Sequence, residues 1–177
     1  MSQSVVTVPT ASLHNKVALI TGAGRGIGRG CAIELGRRGC SVIVNYANSK
    51  SSADEVCDAI KAFGNGAKSI SIQADVSKVS EINRLFEEAK AAFGKIDFVM
   101  SNSGTESWDA TEDITEEKFD HVFNLNARAQ FFVGQAAQVH GSSLRGCQNA
   151  IVDHGGGNGF CGCVNLHTRG EFRGAPQ

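Results

Sequence analysis

The sequence predicts an α/β fold: a doubly wound parallel sheet that runs out after about four strands. Short apolar runs of strand length alternate with amphipathic stretches of helix length between residues 16 and 140. Glycines stand where those helices should end, at Gly39, at Gly64-Asn65-Gly66 and at Gly94. A glycine-rich turn, Thr21-Gly22-Ala23-Gly24-Arg25-Gly26-Ile27-Gly28, joins the first apolar run to the first amphipathic one.

The first strand is expected over residues 16–21, around Val17-Ala18-Leu19-Ile20. Helix A follows over about 27–38, with Ile27, Cys31 and Leu35 recurring every four residues as its inner face. Strand 2 covers 41–46, Ser41-Val42-Ile43-Val44-Asn45-Tyr46, and a polar loop covers 47–50. Helix B starts near Ser51 and places Val56, Ile60 and Phe63 on one face. Strand 3 covers 69–74 and ends at Asp75-Val76. Helix C starts near Ser77, with Ile82, Phe86, Ala89 and Phe93 as its stripe. Strand 4 covers 96–100 and leads into Ser101-Asn102-Ser103-Gly104. Helix D begins after Thr115, an N-cap followed by Glu116 and Glu117, and runs through Phe119, Val122, Phe123 and Asn126 to about His140. Right-handed crossovers order the strands 3-2-1-4. Ligands in such sheets bind at the carboxyl ends of the strands where the order reverses, so the Gly22 and Asn102 turns should face one crevice.

Around this domain, residues 1–15 read as a loose N-terminal extension, and residues 141–177 as an atypical glycine-rich tail without helical periodicity. Ile151-Val152 is the tail's one candidate strand core, and poor order is expected there. A net charge of −1 gives no basic field for nucleic acid or an anionic membrane. The sequence has no bilayer-length apolar run and no basic-then-apolar leader, so a cytoplasmic location is expected. Of the six cysteines, Cys31, Cys40 and Cys57 behave as small hydrophobes in or beside helices. Cys161-Gly162-Cys163 with His140, His154 and His167 matches no metal-ligand spacing, so no metal is expected.

The chemistry begins at the glycine turn. A strand, a glycine turn and a helix in succession bring free N–H groups and the positive end of a helix dipole to one point, which favours an anion. The GxxxxGK[ST] phosphate loop is absent, and the GxGxxG spacing fails because the sixth position from Gly22 is Ile27. The spacing present is GxxxGxG, at Gly22, Gly26 and Gly28. A tight turn without a ligand would need similar glycines. Cofactor choice follows from charge: an NAD site needs an acid near the end of strand 2, and here Asn45-Tyr46 is followed by Ala47-Asn48-Ser49-Lys50. Arg25 lies inside the turn, where a guanidinium can reach a phosphate. NADP(H) is expected over NAD, unless Arg25 and Lys50 are ordinary solvated charges.

With Thr21 before it, the turn resembles the cofactor loop of the short-chain dehydrogenase/reductase family, whose sheet is Rossmann-like. Asp75-Val76 ends strand 3, where that family holds the adenine. Asn102-Ser103-Gly104 resembles its Asn-Asn-Ala-Gly segment, and Asn126, in Phe123-Asn124-Leu125-Asn126, resembles its structural and proton-relay asparagine. The resemblance covers about residues 15–140. It implies cofactor contacts at Gly22, Arg25, Gly26, Ile27, Gly28, Asn45, Tyr46, Asn48, Ser49, Asp75, Val76, Asn102, Ser103 and Gly104, with Arg128 as a weaker cofactor-side candidate. The loop 45–49, the turn 101–104 and the stretch from Phe119 to Phe132 are most similar to fungal reductases of aromatic polyketides, the hydroxynaphthalene and versicolorin reductases. An aromatic ketone or naphthol is therefore the implied substrate. In the resembled family helix D often forms subunit contacts, which implies a homo-oligomer, although the sequel to helix D is missing here.

The family's acid is a tyrosine lowered in pKa by a lysine in Tyr-x-x-x-Lys, with a serine that orients the carbonyl. The only tyrosine here is Tyr46 and the last lysine is Lys118, so that pattern does not occur in these residues. Ser142 and Ser143 precede any plausible fifth strand, which leaves Asn126 as the single matched catalytic-site residue. Family character stops near Ala137. The following residues read as a changed reading frame, a retained intron or a mispredicted gene model. Three outcomes are weighed: an NADP(H)-dependent oxidoreductase, a non-catalytic dinucleotide-binding fragment and a non-functional truncated product.

Overall fold

A computed structural model describes residues 12–140. They form a parallel sheet of β1 (Val17–Ile20), β2 (Ser41–Tyr46), β3 (Ser69–Gln73) and β4 (Phe98–Met100), in the order β3-β2-β1-β4. The connecting helices are α1 (Gly26–Arg37), α2 (Lys50–Lys61) and α3 (Val79–Phe93). After β4 come a short 3-10 turn (Thr111–Asp113), α4 (Glu116–Phe123), a π-helical turn (Asn124–Arg128) and α5 (Ala129–His140).

The central strands β1 and β2 carry continuous apolar runs, Val17-Ala18-Leu19-Ile20 and Val42-Ile43-Val44, because helices cover both faces of the sheet, whereas the edge strand β3 alternates serine and isoleucine. Ile20, Val42 and Val44 pack with Ala32, Val56 and Ile60 on one face. Leu19, Ile43 and Ile72 pack with Ile82, Phe86 and Val133 on the other. Alternation along β2 therefore sends Val42 and Val44 towards α1 and α2, and Ile43 towards α3 and α5. Full burial of a side chain such as Leu19 or Ile43 contributes roughly 1.5–3 kcal/mol each.

The structure corrects several element details. The inner face of α1 is Gly28, Ala32 and Gly36, one position on from the expected stripe, and Ile27 is 41% exposed. Small residues are needed there: a Cβ at Gly36 would lie 2.7 Å from the Ile60 side chain. Phe63 falls beyond the end of α2 and is exposed, while Leu85 joins Ile82 and Phe86 in the buried face of α3. Strand β4 pairs over three residues only, and Phe98 at its start is exposed. Helix D is interrupted: α4 buries none of its residues, whereas α5 packs along α3. Thr115 caps α4 as expected, its hydroxyl accepting from the Lys118 N–H.

Of the expected N-terminal extension, residues 12–15 are described. The Leu13 N–H donates to Arg38 O, and Asn15 holds φ +61°. Residues 1–11 and the whole tail, with Ile151-Val152, Cys147, Cys161, Cys163, His154 and His167, lie outside the described residues.

Candidate cofactor crevice

Parallel order places the carboxyl ends of β1 and β4 side by side, and the turns that follow them meet. Thr21 is fully buried between them. Its Oγ1 accepts from the N–H groups of Asn102 (2.9 Å) and Ser103 (3.0 Å). Asn102 returns the contact, its Nδ2 donating to Thr21 O at 3.0 Å and Gly22 O at 3.3 Å. The glycine turn and the Ser101–Gly104 turn are thus one hydrogen-bonded unit. Two glycines are obligatory for it. A Cβ at Gly28 would stand 2.6 Å from Asn102 Nδ2 and 2.8 Å from Gly22 O, and a Cβ at Gly22, at φ +62°, would meet Ser103 Oγ at 3.0 Å.

Gly26 has φ +56° and would meet nothing within 4 Å, so the turn is open on that side, at the start of α1. Arg25 occupies the N-cap in extended conformation. Its side chain is exposed and makes no ion pair or hydrogen bond among the described residues, whereas Arg29 pairs with Glu55. A Cβ at Gly24 would lie 3.5 Å from Ser52 Cβ and 3.6 Å from the Ala53 N, so the turn rests on the first turn of α2. Two helix N-termini, Arg25, and the Ser49 and Ser52 hydroxyls (2.8 Å apart) converge there. Asn48 and Ser49 are exposed beside them. Lys50 is also exposed, but its ammonium is held by Asp54 at 2.6 Å.

Asn45 plays a different part from the one its position implies. Its side chain is 1% exposed and both ends of its amide are engaged. Nδ2 donates to Ala74 O (3.1 Å), Ile72 O (3.3 Å) and Tyr46 O (3.4 Å), and Oδ1 accepts from the Gly22 N–H (3.2 Å). Asn45 therefore builds the crevice from beneath instead of presenting a side chain to it. The Tyr46 ring is likewise packed in the core with Val44 and Ala53, and Val76 is buried beneath the opposite helices.

Asp75 closes the third strand's end. Its Oδ1 accepts from the Ser77 N–H (3.0 Å) and Ser77 Oγ (2.7 Å). Burial works to raise the Asp75 carboxyl, but the Ser77 hydrogen bonds and the Lys78 ammonium outweigh it and hold it below the ordinary carboxylate range. The carboxylate is anionic at neutral pH and half-buried at the rim.

Asn126 lies in the π-turn, a form concentrated at functional sites. Its Nδ2 donates to Thr105 O at 2.7 Å and its Oδ1 accepts from the Thr105 N–H at 2.8 Å, so one side chain clamps the chain just past Gly104. Arg128 faces away from this contact. Its guanidinium donates to Ser77 O (3.1 Å) and Asn124 Oδ1 (3.3 Å) and lies 5.0 Å from the centre of the Phe132 ring. It straps the π-turn to the Asp75–Lys78 loop. Gln130 is a structural member of the site that motif reading did not single out, and Thr21, read as part of the glycine motif, adds a hydroxyl that joins the two turns. The signal for Gln130 was a polar side chain set among Ala129, Phe131 and Phe132.

The sequence model of the short chain dehydrogenase family matches residues 16–155, which extends past the change in sequence pattern near residue 140. A hydroxynaphthalene reductase-like protein of Metarhizium acridum is 58% identical over 129 residues, covering 73% of this chain and 48% of that protein. A tetrahydroxynaphthalene reductase of Pyricularia oryzae is 48% identical over 169 residues, covering 90% of this chain and 59% of that protein. The chain thus spans about half the length of the curated relatives it matches. Among solved structures, a short chain dehydrogenase of Burkholderia cenocepacia in complex with NADP superposes with a TM-score of 0.70 at 33% identity, covering 74% of this chain and 53% of that one.

Proposed function

The chain belongs to the short chain dehydrogenase family, and we propose that residues 16–140 are the NADP(H)-binding part of an oxidoreductase acting on a carbonyl of an aromatic polyketide-like small molecule in fungal secondary metabolism. The observation that carries the cofactor reading is the junction of the glycine turn with the start of α2. There Arg25, exposed and without a protein partner among the described residues, caps α1 next to the Gly24 contact with the first turn of α2, and no acid stands between β2 and α2. A 2′-phosphate is stabilised by that arrangement, whereas a carboxylate at the same place would repel it. The NADP bound in the Burkholderia structure supports the same reading. The substrate class is supported by the names of the fungal relatives.

The crevice fits a dinucleotide because Gly26 leaves open space where a side chain would otherwise stand. Gly22, Gly26 and Gly28 with Ile27 would line the pyrophosphate and nicotinamide side. Arg25, Asn48 and Ser49 would hold the 2′-phosphate, and Asp75 would border the adenine. Asn102, Ser103 and Gly104 would form the opposite wall. The bound cofactor supplies hydride. Asn126 fixes that wall through Thr105. The family's Tyr-x-x-x-Lys acid does not occur within these 177 residues: Tyr46 is in the core and Lys118 is the last lysine. This observation favours a second reading, in which the 177-residue chain binds NADP(H) without turning over substrate.

Trp108, which is 73% exposed just past the Asn102 turn, provides a fluorescence probe. Titration of the full chain should give tighter binding of NADPH than of NADH. Arg25→Ala should weaken NADPH about tenfold, a loss of about 1.4 kcal/mol, and leave NADH nearly unchanged. Equal losses for both cofactors would refute the assignment of Arg25, and no binding at millimolar NADPH would refute the cofactor reading. NADPH oxidation with a naphthol ketone decides between turnover and binding alone.

A further inference from the structure

We propose that Gln130 is a positioning residue that locks the far wall of the crevice to the π-turn, and that cofactor affinity depends on it through Asn126 and Ser103. This inference rests on the cofactor reading of the crevice.

The strand β4 is short, and the chain beyond it, from Ser101 to Ala110, has no regular backbone ladder to hold it. Two amide side chains supply the missing bonds. Asn126 takes both the N–H and the C=O of Thr105. Gln130 takes three partners: its Oε1 accepts from Ser101 Oγ, and its Nε2 donates to Ser103 O at 2.7 Å and to Leu125 O at 3.2 Å. The two residues are four apart, and together they bracket Asn102, whose own amide is joined to the glycine turn.

The bond to Leu125 O connects Gln130 to the unusual helix geometry. In the π-turn the Ala129 N–H reaches back five residues, to Asn124 O. That wide turn separates Asn126 from the ordinary helix, and the Gln130 amide, one turn on, holds the carbonyl immediately before Asn126. Gln130 therefore sets where Asn126 stands and, by the same side chain, where Ser103 stands. It is half-buried, so its three bonds are made with little competition from water. It reaches the crevice only through these partners, which makes its effect one of position.

Two variants of the full chain test this. Gln130→Glu keeps the acceptor for Ser101 and loses both donors, and Gln130→Met fills the space without hydrogen bonds. Amide exchange of Thr105 reports the Asn126 clamp, and exchange of Ala23, whose N–H donates to Asn45 O at 2.9 Å, reports the rest of the sheet end. In either variant, Thr105 protection should fall about tenfold with Ala23 changed less than about twofold, and NADPH should bind about tenfold more weakly. Equal loss of protection at Thr105 and Ala23 would show a general stability effect and overturn the proposal. So would unchanged Thr105 protection in the variants, or NADPH affinity unchanged in them where the wild-type chain binds NADPH. If the wild type does not bind NADPH, the cofactor reading fails, and with it the affinity claim, while the ratio of Thr105 to Ala23 exchange still decides whether Gln130 sets the clamp.

Discussion

Replacing Asn45 should damage the fold before it changes any cofactor preference. The side chain is 1% exposed and satisfies the Gly22 N–H together with the carbonyls of Ala74, Ile72 and Tyr46. Asn45→Ala removes one acceptor and up to three donor contacts at a site water cannot reach. Each buried group left without a partner costs about 1–3 kcal/mol, and the carbonyls retain some compensation through their second lone pairs, so a total loss on the order of 2–4 kcal/mol is expected. That is a large share of the roughly 5–15 kcal/mol that holds a domain together. Asn45→Asp is the sharper test because it preserves shape. Ionised, it would aim a carboxylate oxygen at three carbonyl oxygens, so its native-state pKa must rise above the unfolded value of about 3.9. Between those two pKa values the native state binds more protons than the unfolded state, and stability falls as pH rises. Urea unfolding followed by circular dichroism should therefore find the gap between Asn45→Asp and wild type smallest near pH 4 and widest above neutrality. An Asn45→Asp chain as stable as wild type at pH 7.5 would falsify the role given to this amide.

Gly28→Ala should separate the two turns, because its Cβ would meet Asn102 Nδ2 at 2.6 Å and the Gly22 backbone oxygen at 2.8 Å. A loss of about 1–3 kcal/mol in urea melts and of detectable NADPH binding is expected. Asn15 holds φ +61°, so Asn15→Ala should cost about 1–2 kcal/mol while Asn15→Gly leaves the melting temperature unchanged or raised. Asp97 accepts from the Val17 N–H at 2.9 Å and pairs with Lys95 and Lys16. Burial works to raise its carboxyl, and those partners outweigh it, so its folded pKa lies below the ordinary value. Its contribution is present above pH 4 and lost as pH falls through the lowered pKa. Asp97→Asn should then be about 0.5–1.5 kcal/mol less stable than wild type at pH 7, with the two curves converging at low pH.

Sheet order was legible because it depends on features that hydropathy records. Val42-Ile43-Val44 is apolar at every position because both of its faces are covered. Right-handed crossovers with the switch of direction after the first strand of the doubly wound arrangement give the order β3-β2-β1-β4 that the sheet shows. The inner face of α1 was not legible, because Gly28, Ala32 and Gly36 carry almost no hydropathy signal. They are there for closeness of approach, which a periodicity count does not weigh. The π-turn was hidden for a similar reason: it is a matter of backbone bonds that reach back five residues, such as that from the Ala129 N–H to Asn124 O, and of the side chains of Asn126 and Gln130 that exploit them. The Gly22 and Asn102 turns were expected to meet because topology brings strand ends together, but the buried Thr21 hydroxyl that joins them has no sequence pattern of its own.

The absence of an acid at the end of β2 counts towards NADP(H) only at positions whose side chains reach the crevice. Asn45 does not: its amide is engaged with the Gly22 N–H and with the carbonyls of Tyr46, Ile72 and Ala74, so an acid there would face those carbonyls. Tyr46 is in the core. The side chains that decide between the cofactors are therefore those of the exposed Ala47-Asn48-Ser49 that leads into α2, against which the Gly24 turn packs. A carboxylate introduced at this loop, Ala47→Asp, places like charge beside a 2′-phosphate without disturbing the buried amide. It should weaken NADPH about tenfold or more while leaving NADH binding and the urea midpoint close to wild type. If Ala47→Asp lowers both cofactors equally, discrimination does not reside in this loop, and Arg25 alone must carry it.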